Sequence, residues 1–72
     1  MTQTIRMTLE AARVNAGLTQ KQVCDAIGIS MTTIGLWEHG DRLPSVDKAI
    51  KLAELYKVPL ECINFAKKVE SN

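Results

Sequence analysis

The sequence has little of what an enzyme or a metal site needs. Among its 72 residues there is one histidine, His39, and no Cys and His residues at metal-binding spacing. The two cysteines, Cys24 and Cys62, lie far apart in apolar patterns, which is typical of buried thiols. No nucleophile–base arrangement and no phosphate-binding glycine loop is present. We therefore expect no enzyme activity, no metal, no cofactor and no small-molecule ligand.

Long apolar runs and an excess of one charge are also missing. No stretch approaches the ~20 apolar residues of a membrane span, and "MTQTIRMTLE" lacks the apolar core of a signal peptide. We expect a cytoplasmic protein with no membrane contact. Nine basic and eight acidic residues give a net charge of +1. Because many nucleic-acid-binding domains are strongly basic, this balance argues mildly against that class, and the positions of the basic residues matter more than their sum.

What the sequence does contain is a series of helix start and stop signals. Four residues with side-chain hydroxyls precede helical patterns and can accept a hydrogen bond from a first-turn amide: Thr8, Thr19, Ser30 and Ser45. The first helix carries the apolar stripe Leu9, Ala12, Val14 and Ala16. A fifth, short helix is expected to start at Pro59 or Leu60. The pattern predicts an all-α, five-helix domain over residues 1–72, with a core at about 8–66 and a polar tail at 67–72.

The second and third helices are joined by only three residues, Gly28-Ile29-Ser30. Such a short connection makes the third helix cross the second steeply and turn one face outward. This is the helix-turn-helix arrangement, in which the second helix of the pair enters the major groove of DNA. The motif is predicted at residues 19–39.

The stretch "LTQKQVCDAIGISMTTIGLWEHGDRLPS" resembles the Cro/repressor-type (XRE-like) helix-turn-helix family. The similarity runs over roughly residues 8–64. It is carried by an ordered set of positions rather than by a single motif: Leu18, Thr19, Gln20, Gly28, Ile34, Trp37, Glu38, Gly40, Pro44 and Ser45. The sequence departs from the family at Cys24, where alanine is usual, and at Tyr56-Lys57, where Leu-Gly is common. The resemblance implies a repressor-like DNA-binding domain, and it implies that Arg13 of the first helix pairs with Glu38.

The same resemblance and the helical spacing predict the residues that contact DNA. Gln20 is expected to reach a phosphate, and Lys21 and Arg42 to neutralise backbone charges. Met31 and Leu36 would contact thymine methyl groups, while Gly35 lets a base approach closely. The alternative for Met31 and Leu36 is packing against protein. The full predicted set is Thr19, Gln20, Lys21, Met31, Thr32, Thr33, Gly35, Leu36, Arg42 and Ser45.

The functional hypothesis is a sequence-specific, double-stranded DNA-binding transcriptional regulator, a small Cro-like repressor of phage or prophage type. It would bind a DNA operator as a homodimer, because one helix-turn-helix unit offers few charges. Four C-terminal apolar residues are candidates for the dimer contact: Val58, Leu60, Ile63 and Phe65. The alternative is core closure, which we expect of Val58 and Ile63, and we expect Phe65 to be the most exposed of the four. The alternative hypothesis is a protein–protein interaction module on the same scaffold, with little or no specific DNA binding.

Overall fold

The computed structural model describes residues 6–65. Four α-helices follow one another: α1 (Leu9–Asn15), α2 (Gln20–Ile27), α3 (Met31–His39) and α4 (Val46–Tyr56). Before α1 lies the short strand β1 (Met7–Thr8), and after α4 come a 3₁₀ turn (Leu60–Cys62) and the strand β2 (Ile63–Asn64). The predicted tail at 67–72 and the last residue of the predicted core range, 66, lie outside the described residues.

Each α-helix begins at the hydroxyl side chain that the sequence predicts. The side-chain oxygens of Thr8, Thr19, Ser30 and Ser45 accept hydrogen bonds from the backbone amides three residues ahead. At Thr19 the exchange is reciprocal, since Gln22 Oε1 accepts from the Thr19 amide at 2.8 Å. These bonds satisfy amides that have no partner inside a helix, and they fix where each helix starts.

The expectation of five helices and no strands needs correction. The segment after Pro59 makes a single 3₁₀ turn rather than an α-helix, and the chain then extends into β2. There it pairs in parallel with β1, with Met7 opposite Ile63 and Thr8 opposite Asn64. Burial explains the outcome, because the extended chain places Ile63, which is 3% exposed, into the core.

The core is built from all four helices and β2. Its members share near-complete burial and form one cluster: Leu9, Ala12, Val23, Cys24, Ile34, Trp37, Leu52, Ala53, Tyr56 and Ile63. Val14 does not belong to it, contrary to the predicted stripe, and is 60% exposed. Five residues after Leu9 on a helix of about 100° per residue, it lies well away from the buried face. No helix within the described range is long and apolar enough to cross a membrane.

Candidate nucleic-acid interface

The turn between α2 and α3 sets the direction of α3. Gly28 ends α2 in the left-handed region, with φ 84° and ψ 42°. Ile29 then donates its amide to the carbonyl of Cys24 at 3.1 Å, and Ser30 is already extended as the N-cap of α3. Glycine suits the first of these positions because a Cβ is strained at such a φ. The chain therefore reverses within three residues and brings α3 against α2.

A polar cluster then fixes α3 to the rest of the fold. Arg13 of α1 donates from Nε to Oε2 of Glu38 at 2.6 Å and from Nη1 to the carbonyl of Leu18 at 2.8 Å. Gln20 of α2 donates from Nε2 to Oε1 of Glu38 at 2.9 Å. One carboxylate of α3 is thus held by α1 and by α2 at once.

This cluster is shielded from water, which strengthens the electrostatic attraction within it. The side chains of Arg13 and Glu38 are only 12% and 6% exposed. The hydrogen bond to Glu38 raises the pKa of Arg13, so its guanidinium stays charged. Gln20 Nε2 uses one of its two hydrogens to bond Glu38. Its second hydrogen is therefore the one available for the phosphate contact that the sequence predicts.

The outward face of α3 carries most of the predicted base-contacting residues. Ile34 and Trp37 are buried, whereas Met31 is 48% exposed and Thr32 is exposed. Three further positions are half-buried on this helix: Thr33, Gly35 and Leu36. The hydroxyl of Thr33 lies 2.9 Å from that of Ser30, so it points back toward the start of the helix. At Gly35, an added Cβ would meet nothing within 4 Å.

Met31 is held at the junction of the two helices by a sulfur contact. Its Sδ lies 3.7 Å from Sγ of Cys24, which is within hydrogen-bond range for sulfur. Burial raises the pKa of the Cys24 thiol, which therefore remains protonated near neutral pH and can act as the donor. The contact gives Cys24 a specific neighbour on α3.

Apart from Gln20, which is half-buried, the predicted phosphate contacts are at the surface, but they are not equivalent. Lys21 donates to Asp25 Oδ1 at 3.2 Å, in an exposed pair one helical turn apart. Arg42 and Ser45 are exposed at the α3–α4 loop and at the start of α4. The loop is drawn against α3, since the amide of Arg42 donates to the Leu36 carbonyl at 3.3 Å. Thr19 is exposed and caps α2.

Several contacts in this region are missing from the sequence prediction, among them Lys21 with Asp25, Gln20 with Glu38 and Cys24 with Met31. Asp25 partly neutralises Lys21, and the i, i+4 spacing on one helix face was the available signal. The link from Gln20 to Glu38 joins residues 18 positions apart, and no spacing rule reveals it. Within residues 6–65 no three His, Cys, Asp or Glu side chains are grouped so that they would hold a metal ion.

Comparison with known proteins supplies an independent line of evidence. The model of a family described as "Helix-turn-helix" matches residues 9–61. A curated relative, the cryptic phage CTXphi transcriptional repressor RstR of Vibrio cholerae serotype O1 (strain ATCC 39315 / El Tor Inaba N16961), is 32% identical over 57 residues. The alignment covers 79% of this chain and 51% of the relative, so the chain spans about half of the relative's length. No solved structure matches.

Proposed function

Because the chain belongs to the XRE-type helix-turn-helix family, we propose that it is a sequence-specific DNA-binding transcriptional regulator that inserts α3 into the major groove. The observation that carries this proposal is the way α3 is presented. Its inner face packs into the core through Ile34 and Trp37, and Glu38 is fixed by two other helices. The residues opposite are left at the surface on a rigid support, as base reading requires.

Residues that could contact phosphates precede and follow α3 in the chain, and they support the same function. Lys21 stands in the first turn of α2, and Arg42 follows the end of α3. The start of α4 adds amide groups and the positive end of an 11-residue helix dipole near Ser45. Such contacts position a protein on the duplex, and the side chains in the groove then select the sequence.

The mode of regulation we propose is repression by occupancy of a promoter, as in a small Cro-like protein of phage or prophage origin. The relative that carries the name of a phage transcriptional repressor supports this reading. On this proposal the protein works in the cytoplasm, and its partner is a double-stranded operator.

We further propose that the operator is bound by a homodimer at two half-sites about one helical turn apart. Of the four residues expected at the dimer contact, Ile63 is buried, and Val58 and Phe65 are half-buried against the core. Leu60 is 38% exposed and remains available. The expectation that Phe65 is the most exposed of the four is wrong, since Phe65 closes the core beside β2.

The test is selection from random duplex DNA, followed by a salt titration of binding to the enriched sequence. We expect an inverted repeat, and a decrease of log K with log salt that becomes shallower by about one unit for each of Lys21→Ala and Arg42→Ala. Lys51→Ala, an exposed lysine on α4 outside the motif, is the matched control and should change the slope less. Absence of enrichment would reject the proposal.

One observation favours the alternative, a protein-interaction module. Several large apolar residues are exposed around the end of the motif, including Leu43 at 67% and Val46 at 73%. Exposed apolar groups that lie close together mark interaction surfaces. In that case DNA binding would be weak and unselective, and the Lys21 and Arg42 substitutions would leave binding of the protein partner nearly unchanged.

A further inference from the structure

The side chains of α3 leave few hydrogen-bonding groups free for base edges. The helix contains no Asn, Gln, Arg or Lys, which are the side chains that most often bond base edges. The Glu38 carboxylate is held by Arg13 and Gln20. Nδ1 of His39 lies 2.8 Å from Oδ2 of Asp41 at the end of the helix.

Two of the three hydroxyls at the start of α3 also bond within the protein. Ser30 Oγ accepts from the amide of Thr33 at 3.1 Å and lies 2.9 Å from the Thr33 hydroxyl. Thr32 is exposed, and its hydroxyl has no hydrogen-bond partner among residues 6–65. A single hydroxyl can bond any of several base edges, so it does not by itself specify a sequence.

What the outward face does offer is apolar. Met31 is 48% exposed, Leu36 is half-buried, and the exposed Thr32 adds a methyl group. The sulfur contact with Cys24 holds the Met31 side chain at 3.7 Å from α2, which reduces the conformational entropy lost when it packs against DNA. At Gly35 an added Cβ would meet nothing within 4 Å, so the helix surface is open at that position.

Only one base presents an apolar group in the major groove, and that base is thymine, through its 5-methyl group. Resting on the proposed function, we infer that this protein selects its operator by packing Met31, Thr32 and Leu36 against thymine methyl groups, with Cys24 positioning Met31. The half-site is therefore rich in thymines whose methyl groups, and not their hydrogen-bonding edges, carry the discrimination.

Replacing thymine by deoxyuridine isolates this chemistry, because it removes the methyl group and keeps every base-pairing and groove hydrogen-bonding atom. In the enriched operator we expect each contacted thymine to lose about fourfold in affinity on this change, as expected for burial of one methyl-sized group. Deoxyuridine outside the half-sites should have no effect. Where cytosine replaces a contacted thymine, 5-methylcytosine should recover part of the lost affinity.

Variants then assign the contacts. Met31→Ala should abolish the thymine–deoxyuridine difference at one position per half-site, while Cys24→Ala should weaken it there and leave the other positions unchanged. Met31→Gln supplies a carboxamide and should shift the selected base at that position toward adenine. Val14→Ala removes an apolar side chain of α1 that is 60% exposed, more than the 48% of Met31, and should retain every difference.

The outcomes separate the inference from the function on which it rests. Tight, selective binding that is indifferent to deoxyuridine at every position would overturn methyl readout and leave the regulator proposal standing. No selective binding to any duplex would overturn both. The deoxyuridine measurement uses the unaltered protein, so it decides the question even where a variant does not fold.

Discussion

Arg13 and Glu38 lie 25 residues apart in sequence, and Nε of the arginine is 2.6 Å from Oε2 of the glutamate. Both side chains are largely buried, and the pair joins α1 to the end of α3. Buried ion pairs contribute little net stability compared with apolar residues of the same size. Removal of one partner is nevertheless destabilising, because it leaves the other as an unpaired buried charge. The contact therefore acts mainly on the orientation of α3.

Removal of either partner is predicted to lower the free energy of unfolding, and the effects of the two substitutions should not be additive. Arg13→Met leaves the Glu38 carboxylate with Gln20 alone and should lower the free energy of unfolding by about 3 kcal/mol. Glu38→Gln, which retains an acceptor for Gln20, should cost less. In urea denaturation, the double variant should be much less destabilised than the sum of the two; strict additivity would show that the pair does not interact.

Tyr56 predicts a loss of stability in alkali. Burial raises the pKa of its phenol above the ordinary value of about 10, and among residues 6–65 the hydroxyl has no hydrogen-bond partner. The folded state thus keeps the proton at a pH where the unfolded chain releases it. Stability should be unaffected by this group below about pH 10 and fall above it by up to about 1.4 kcal/mol per pH unit.

Tyr56→Phe is the matched comparison, because lysine and cysteine titrations are common to both proteins. We expect the variant to show a shallower decline of unfolding free energy between pH 10 and 11. At neutral pH it should be as stable as the parent or more stable by about 1 kcal/mol, since a buried hydroxyl without a partner is removed. Parallel pH profiles would contradict the assignment.

Lys57 ends α4 in a conformation that disfavours its side chain. Its φ is 60° and its ψ is 41°, which is the left-handed region. Among residues 6–65, Lys57 alone has a positive φ without being glycine. Lys57→Gly should raise the free energy of unfolding by about 0.5–1 kcal/mol, after allowance for the greater freedom of glycine in the unfolded chain. Lys57→Ala keeps the Cβ and should give no such gain in thermal or urea unfolding.

Asp25 is predicted to limit DNA affinity through Lys21. Because the pair is exposed, its contribution to folding is small, at most about 0.5 kcal/mol. Asp25→Asn should leave stability almost unchanged, strengthen operator binding severalfold at low salt, and steepen its salt dependence. Glu54→Gln makes the same change in net charge on an exposed position of α4. An equal gain from both variants would indicate a general effect of charge.

The helix boundaries could be predicted because their determinants are local. The hydroxyls of Thr8, Thr19, Ser30 and Ser45 act within three residues of themselves, and Gly28 and Gly40 need only their own backbone freedom. The 3₁₀ turn and β2 follow from contacts with β1 across the whole domain, and a pattern read over ten residues carries no information about them.

In the candidate interface, too, features set within one helix could be predicted and contacts between helices could not. Helical spacing accounts for the buried Ile34 and Trp37 and for the exposed Met31 and Thr32. The bond from Gln20 to Glu38 and the contact from Cys24 to Met31 depend on the crossing of α2 and α3, which spacing within one helix cannot supply. What these residues do with DNA stays a prediction.

The pairing of Met7 with Ile63 also has a kinetic consequence. It joins the two ends of the described chain, so the core cluster is complete only when Ile63 has left the ribosome. During synthesis the helix-turn-helix segment emerges well before the strand that closes the domain. We expect a nascent chain that stops before residue 63 to be protease-sensitive and the closing step to depend on contacts of the longest sequence separation.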